Sequence, residues 1–390
     1  MNPVMNDRRN PPRAMNHLLH DRQKAPTLQW SLLLQRAHLD GWLLLGIIIF
    51  SIFSMVVLYS SGGQDAAILI RQAVRIGIAA VFMVILAQIH PDRLKDIAFW
   101  VYAVGMLLLL VVLLFGTIGK GAQRWLDLGF FRFQPSEIMK LAVPLVVAVY
   151  LAERPLSPTY PRLLVALILI AAPVFLISQQ PDLGTALLVG SSGLIVIFLS
   201  GISWRVITGF IALCAAAVPV LWYFMYDYQR RRVMTLFNPE SDPLGAGYHI
   251  IQSKIAIGSG GLHGRGWLQG TQSHLEFLPE QTTDFVFAVI AEEFGLVGVI
   301  ALIVLYLLVT ARGMYIAAQA QTTYMKLLAG SIALTFLVYV FVNIGMVIGL
   351  LPVVGAPLPL ISYGGTSMVT LLAGFGILMS IHTHRRMMSP

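Results

Sequence analysis

The sequence predicts an all-α integral membrane protein with about ten transmembrane helices. Hydrophobic residues make up 57% of its 390 residues, charged residues make up only 11%, and the mean hydropathy is +0.78. Soluble domains carry roughly 25% charged residues, because their surfaces face water. Apolar runs of about 20 residues, the length needed to cross a bilayer, recur along the chain. Most of the surface is therefore expected to face lipid.

Ten spans follow from these apolar runs. We predict them at 41–60, 72–90, 96–116, 136–152, 162–179, 184–201, 204–226, 285–310, 325–351 and 364–381. The second span is the weakest, because Arg71 and Arg75 stand at its start. A long, Gly-rich polar segment, residues 227–284, separates the seventh and eighth spans. The largest extracytoplasmic loop is therefore predicted between those two helices.

The chain is predicted to form one membrane domain, residues 41–386, between a leader and a short tail. The leader, residues 1–40, is mostly polar and contains six basic residues, and residues 387–390 form the tail. Basic residues mark the cytoplasmic ends of multi-pass proteins. We therefore assign the net charge of +8 to membrane topology rather than to nucleic-acid binding. Both termini are expected in the cytoplasm, with the long loop on the periplasmic side of an inner membrane.

The outward-facing loops carry basic residues that this topology rule does not explain. They include Lys120, Arg124, Arg132 and the three arginines at 230–232. Arginine binds phosphate through paired hydrogen bonds, and lysine binds it as a point charge. We therefore expect an anionic partner at the outer leaflet and a functional site on that side.

Asp284 is the most informative acid of the chain. It lies where the long loop enters the eighth span, five residues after Pro279. This spacing places Asp284 at or just inside the first helical turn, where the helix dipole stabilises a carboxylate. From the residues alone, a helix-capping role and a catalytic role both stay open.

Glu292 and Glu293 lie two turns further along the same apolar run. Ionisable groups at membrane depth are costly, so they are functional candidates by default. A structural ion pair or a protonated, hydrogen-bonded carboxyl explains them equally well.

Three more polar segments are predicted on the outer side. Glu137 and Lys140 share a helix face at the start of the fourth span, either as a salt bridge or as a phosphate site. Asp182 precedes the sixth span, where it caps the helix or lines a polar cavity. Ser362 precedes a pair of glycines, which permit close backbone approach to a ligand or to another helix.

Familiar catalytic motifs are missing from the sequence. It contains no phosphate-binding P-loop, no dinucleotide fingerprint and no nucleophile elbow. The single cysteine, Cys214, rules out a disulfide framework. The histidines of the long loop, His249, His263 and His274, are too scattered to predict a metal site.

Taken together, these segments resemble the SEDS family of cell-wall polymerases. The motifs that carry the resemblance are 121–125 with 133–137, 180–185, 242–249 through 258–266, 278–287 and 357–365. They occur in the family's order, and the resemblance extends from the first helix to Arg386. The run 242–247 and the tail 382–385 favour the elongation type of the family over the division type.

The resemblance implies a ten-helix fold that polymerises lipid II, a disaccharide-pentapeptide on undecaprenyl pyrophosphate, and it implies that Asp284 is essential for catalysis. The family usually has a histidine two places earlier, where this chain has Thr282. The matching motifs also hold the residues that we expect to bind substrate: Arg124, Trp125, Gln134, Glu137, Lys140, Asp182, Glu280, Thr283 and Ser362.

The expected chemistry is one in-line displacement with inversion, because an α-linked donor yields a β-1,4 bond. Asp284 would be the general base for the acceptor 4-hydroxyl. Lys140, Arg124 or a bound divalent cation, Mg²⁺ or Mn²⁺, would neutralise the leaving pyrophosphate. Two alternatives stay open: a lipid II flippase, for which Glu292 and Glu293 would line a polar path, and a non-catalytic scaffold of the elongation complex.

The resemblance also implies protein partners. One is a class B penicillin-binding protein, a transpeptidase that cross-links the new strands. The others are the MreC and MreD proteins of the elongation complex.

Overall fold

The computed structural model describes residues 37–119, 122–127, 129, 132–153, 158–225, 227–241, 245–271 and 280–384. Most of the predicted leader, the predicted tail, Lys120, His274 and Pro279 lie outside these ranges. The α-helices within the ranges are α1 (Gly41–Ser61), α2 (Ala66–Gln88), α3 (Pro91–Phe115), α4 (Pro135–Ala152), α5 (Tyr160–Gln179), α6 (Leu183–Leu199), α7 (Trp204–Phe224), α8 (Asp227–Phe237), α9 (Ala246–Gly260), α10 (Val286–Gln319), α11 (Thr323–Val347) and α12 (Thr366–Thr383).

The helices confirm an all-α polytopic membrane protein. Among the described residues, eight helices are long and apolar enough to cross a membrane: α1 to α5 and α10 to α12. The other two predicted spans correspond to α6, an apolar helix of 17 residues, and to α7, whose stretch Trp204–Pro219 is also apolar. The remaining two, α8 and α9, lie in the predicted long loop, and α9 packs against α10.

The second span begins earlier than predicted. The side chain of Asp65 caps α2 by accepting a hydrogen bond from the backbone N–H of Ala67 at 2.8 Å, so the helix begins at Ala66. Arg71, which the predicted span 72–90 left out, therefore lies inside α2 together with Arg75. Both arginines belong to the first half of a helix that is long and apolar enough to span a membrane.

The segment between α3 and α4 folds into a small antiparallel sheet that the all-α prediction missed. Its strands, β1 (Thr117–Gly119), β2 (Ala122–Asp127) and β3 (Arg132–Phe133), lie in the order β1-β2-β3. The strands are too short to produce a readable alternation of apolar and polar residues. The sheet leads directly into α4, whose first residue is Pro135.

The centre of the helix bundle is formed by α4, α11 and α12. In the apolar windows of α4 and α11, 72% of the residues are buried, compared with 17% in α2 and 22% in α5. Large exposed side chains on the outer helices, such as Trp42, Phe99 and Trp100, are of the kind that face lipid. Polar residues at the ends of α4 and α11 are thus shielded by the rest of the bundle.

The helix α10 is broken at Gly295, whose φ is 63°. Segment 261–266 inserts its backbone into the break. It donates two N–H groups to the carbonyls of Glu292 and Glu293, and its own carbonyls accept from the two amides that follow Gly295, at 2.9–3.1 Å. A Cβ on Gly264 would overlap the carbonyl oxygen of Glu293, so the contact is between two backbones.

The two ends of the described chain meet on the side away from the sheet. Asp40 caps α1 and forms a salt bridge with Arg312 at 2.5 Å, while the His38 and His384 rings stack with centroids 3.9 Å apart. Burial opposes the ionisation of Asp40, but hydrogen bonds from Arg312 and the Leu43 backbone outweigh it and hold the pKa of Asp40 below its usual value.

Candidate active site

A cavity of about 970 Å³ lies between the sheet and the ends of the central helices that are nearest to it. It is bounded by β2, the starts of α4, α6 and α12, the turn before α10, and segment 355–357. Eight of the ten site residues predicted from the sequence line this cavity: Arg124, Trp125, Gln134, Glu137, Lys140, Asp182, Thr283 and Asp284. The fold thus brings together these predicted side chains from four separate segments.

Lys140 and Glu137 form one charged wall of the cavity. The Lys140 Nζ lies 2.7 Å from Glu137 Oε1, and both side chains are more than nine-tenths buried. The ammonium group also lies 5.2 Å from the centre of the Tyr339 ring. The predicted salt bridge is therefore present, and it lines the cavity rather than the lipid interface.

Asp182 joins three segments of the cavity lining. Its carboxylate lies 3.3 Å from an Arg124 nitrogen and accepts a hydrogen bond from Gln134 Nε2 at 3.0 Å. The same carboxylate accepts from the backbone N–H of Thr185 at 3.2 Å, so it is also the N-cap of α6. Asp182 therefore has both of its predicted roles, as helix cap and as cavity lining.

Asp284 lies outside α10, so its predicted place in the first helical turn is wrong. The helix begins at Val286 with Phe285 as its N-cap. A turn that starts at Glu280, with φ of 56°, sets the entry, since the Thr283 and Phe285 amides both donate to the Glu280 carbonyl. Asp284 is partly exposed and lines the cavity. Asp284 therefore belongs to the cavity wall, and Phe285 occupies the N-cap position.

Three consecutive backbone carbonyls fix the Asp284 segment, residues 282–284. The first accepts from the Tyr363 N–H at 2.8 Å, the second from Ser362 Oγ at 2.5 Å, and the third from Asn343 Nδ2 at 2.8 Å. Donors from α11 and from the segment before α12 therefore bind the backbone of the Asp284 segment. This leaves its side chain on the cavity side.

Asn343 is a site residue that sequence reasoning missed. Its side chain is fully buried, and its amide donates a second hydrogen bond to the carbonyl of Ala356 at 2.7 Å. It thereby couples Asp284 to the facing wall, where a Cβ on Gly355 would lie 3.4 Å from the Asp284 carboxylate. An amide inside an otherwise apolar span was the available signal.

Two predicted binding residues do not line the cavity. Ser362 is buried, and its hydroxyl bridges the Leu358 amide and the Thr283 carbonyl, so it supports the Asp284 segment rather than a ligand. Glu280 is exposed and accepts a hydrogen bond from Thr283 Oγ1 at 2.7 Å, so its side chain is engaged within its own turn.

Arg75 lines the cavity although the sequence analysis treated it only as a weakness of the second span. Its guanidinium carbon lies 3.9 Å from the centre of the Tyr363 ring. Both residues were missed because their contact joins α2 to the segment before α12, which is far away in the sequence, and no local spacing predicts such a contact.

Glu292 and Glu293 are buried beside the break in α10 and are not part of the cavity lining. Glu292 accepts a hydrogen bond from Thr271 Oγ1 at 3.0 Å, and Glu293 accepts one from Ser60 Oγ. These contacts attach α10 to the long loop and to α1.

The fold and the cavity define a multi-pass membrane protein whose polar cavity combines a held carboxylate with several cations. The chain belongs to the SEDS family, because the family model for FtsW, RodA and SpoVE, described as cell cycle proteins, matches residues 32–387. It is 57% identical to peptidoglycan glycosyltransferase MrdB of Escherichia coli K12 over 355 residues, covering 91% of this chain and 96% of the relative. It is 32% identical to peptidoglycan glycosyltransferase RodA of Treponema pallidum, covering 89% and 98%.

Solved structures agree with this assignment. A chain from a peptidoglycan synthase complex, described as coordinating polymerization and crosslinking, superposes with a TM-score of 0.78 at 35% identity and covers 89% of this chain and 98% of that one. The rod shape determining protein RodA of Thermus thermophilus gives a TM-score of 0.66 at 31% identity, covering 88% and 96%. The predicted SEDS-type fold is confirmed.

Proposed function

We propose that this chain is a peptidoglycan glycosyltransferase that polymerises lipid II into glycan strands for cell elongation, with Asp284 as its general base. The observation that carries the proposal is the placement of Asp284 on the cavity wall by three backbone hydrogen bonds from behind. Family membership and 57% identity to a peptidoglycan glycosyltransferase support the same reaction.

The cavity has the size and chemistry for a lipid-linked sugar. Small-molecule sites typically enclose about 300–1,000 Å³, and this cavity, at about 970 Å³, is at the upper end of that range. Its lining combines carboxylates, which accept hydrogen bonds from sugar hydroxyls, with cations that suit phosphate. Trp125 adds an aromatic face next to Arg124.

The reaction is a single displacement at the anomeric carbon of the donor. Asp284 takes the proton of the acceptor 4-hydroxyl as the new C–O bond forms. The bond to the diphosphate breaks, and the diphosphate leaves with the electron pair. A positioned general base contributes about 10²–10⁴-fold to such a rate. Glu137 orients Lys140, and Asp182 orients Arg124, so both cations are held in place before substrate binds.

A divalent cation, Mg²⁺ or Mn²⁺, stays a prediction. Within the described ranges, no group of three histidine, cysteine, aspartate or glutamate side chains is placed to hold a metal ion. The residues therefore do not fit a metal site made by protein alone, and no step above depends on one. Magnesium sites that use one or two carboxylates plus substrate phosphates are common, and that arrangement is the one to test.

The proposed setting is a bacterial inner membrane, with the termini in the cytoplasm and the cavity facing the periplasm. The meeting of His38 with His384 at one end of the bundle, away from the cavity, supports this orientation. A class B penicillin-binding protein is the proposed partner, supported by the similarity to a chain of a complex that coordinates polymerization and crosslinking. MreC and MreD are proposed as further partners on the family resemblance alone.

The proposal is tested by polymerisation of purified lipid II. The wild-type chain, Asp284→Asn and the control Asp65→Asn are each co-purified with the penicillin-binding partner, with moenomycin added to silence other polymerases. Asp65 is an exposed acid outside the cavity lining, and asparagine also caps helices well. We expect polymer from the wild type and the control, and a loss of about 10²-fold or more from Asp284→Asn.

Equal polymer from Asp284→Asn would refute the general-base role. No polymer from any variant, with lipid II crossing vesicle membranes instead, would favour a flippase. No polymer and no lipid movement would favour a scaffold.

A further inference from the structure

The cations that line the cavity differ in how they are neutralised. Lys140 lies 2.7 Å from Glu137, and Arg124 lies 3.3 Å from Asp182. In the described part of the chain, no carboxylate oxygen lies within the 4 Å ion-pair distance of Arg75. The positive charge of Arg75 is therefore the one that remains for an anionic ligand.

Arg75 is placed at a depth where an unneutralised charge is costly. It is the tenth residue of α2, so it lies about 14 Å along the axis from Ala66 at ~1.5 Å per residue. Arg71, one turn earlier, is exposed and lies 3.7 Å from Asp65. Ionisable residues at membrane depth that face a cavity mark ligand sites by default. Arg75 meets that description and Arg71 does not.

The contact of Arg75 with Tyr363 leaves its hydrogen-bond donors available. The guanidinium carbon lies 3.9 Å from the ring centre, so the arginine uses its face for a cation–π contact. The N–H donors of a guanidinium lie in its plane and are not consumed by such stacking. Arg71 Nε donates to the Tyr363 hydroxyl at 3.1 Å and holds the ring in place. The geometry is that of a pre-positioned, planar anion receptor.

We propose that Arg75 binds the diphosphate of the glycosyl donor and neutralises it as it leaves. The proposal rests on the glycosyltransferase function above and adds a residue and a ligand to it. Each phosphate group offers paired oxygens that match the guanidinium fork, and a diphosphate carries more negative charge than a monophosphate. Lys140 and Arg124 are already paired with carboxylates and orient the reacting groups. Arg75 supplies the positive charge that neutralises the leaving diphosphate.

The test is direct binding of undecaprenyl diphosphate and undecaprenyl monophosphate to the purified chain with its partner. Arg75→Gln removes the charge, and Arg75→Lys keeps it without the fork. The control is Arg93→Gln, which removes an exposed cation in the first turn of α3, outside the cavity lining. We expect Arg75→Gln to lose about tenfold or more in diphosphate affinity and a smaller factor in monophosphate affinity, because the monophosphate carries less negative charge. Arg75→Lys should lie in between, and Arg93→Gln should stay within about twofold.

Unchanged diphosphate affinity in Arg75→Gln would overturn the proposal. An equal loss in Arg93→Gln would also overturn it, because it would indicate general surface electrostatics. Thermal unfolding checks that each variant is folded. If Arg75→Gln does not fold, Arg75→Lys still tests the proposal. Asp284→Asn should still bind diphosphate while losing polymerisation, so a failure of this inference is distinguishable from a failure of the proposed function.

Discussion

Removing the Asn343 amide should separate catalysis from folding. In Asn343→Ala, the carbonyls of Asp284 and Ala356 lose their donors at 2.8 and 2.7 Å. A buried acceptor left unpaired costs about 1–3 kcal/mol, so the two together cost about 2–6 kcal/mol. Because Asp284 lies in a turn outside α10, we expect much of this cost to appear as local displacement of its carboxylate. A displacement of about 1 Å can lower a rate by about 10²-fold.

The isosteric variant Asn343→Asp sharpens this prediction. It keeps the side-chain volume but turns acceptor oxygens toward both carbonyls, so it should be more damaging than alanine. Thr335→Val is the matched control on α11. Thr335 is also buried, but within the described residues its hydroxyl has no hydrogen-bond partner, so its removal should be nearly neutral.

The assay is steady-state polymerisation of lipid II, together with thermal unfolding of the same preparations. We expect Asn343→Ala to lower kcat by about 10²-fold with little change in KM, because substrate contacts are retained. The reasoning is refuted if Asn343→Ala polymerises at the wild-type rate. It is also refuted if its melting temperature and activity fall no further than those of Thr335→Val.

Three further predictions follow from contacts at other places in the bundle. Glu137→Gln should destabilise the chain by about 3–5 kcal/mol in thermal unfolding, because Lys140 is left buried without its carboxylate; adding Lys140→Met should restore stability but not polymerisation. Gly264→Ala should lower the melting temperature and expose the long loop to protease, because its Cβ overlaps a backbone carbonyl of α10. Arg312 lowers the pKa of Asp40 in the folded protein. The contribution of Asp40 to stability is therefore full above the unfolded pKa of about 3.9 and is lost as pH falls through the lower folded pKa. In this acid range, the melting temperature of Asp40→Asn should depend less on pH than that of the wild type.

The sequence predicted most of the membrane fold because bilayer thickness imposes a length on every span. Each of the ten predicted apolar runs corresponds to a helix. It missed the sheet, whose strands have three, six and two residues. It also placed the start of α2 six residues late, at residue 72, because Arg71 and Arg75 lower the hydropathy of this part of the helix. Hydropathy alone cannot recognise a cation that faces an internal cavity.

The candidate site was predicted as far as chemistry can be recognised from residue type. Carboxylates and cations in outward segments identified Asp284, Lys140 and Asp182 before their contacts were known. The supporting residues could not be found that way, because an apolar span gives no hint of which neighbour its one amide will meet. Asn343 and Ser362 act on backbone carbonyls from distant segments, and only the folded arrangement defines those partners.

The backbone exchange at the break in α10 has a consequence for how the protein unfolds. Segment 261–266 and the helix on either side of Gly295 satisfy each other's main-chain groups. Detaching the loop would strand two carbonyls and two amides inside a membrane-spanning helix, where each unsatisfied group costs several kcal/mol. The outer loop is therefore not an independent flap on a stable bundle. The loop and α10 are expected to lose structure together, and a force applied to the loop acts directly on α10.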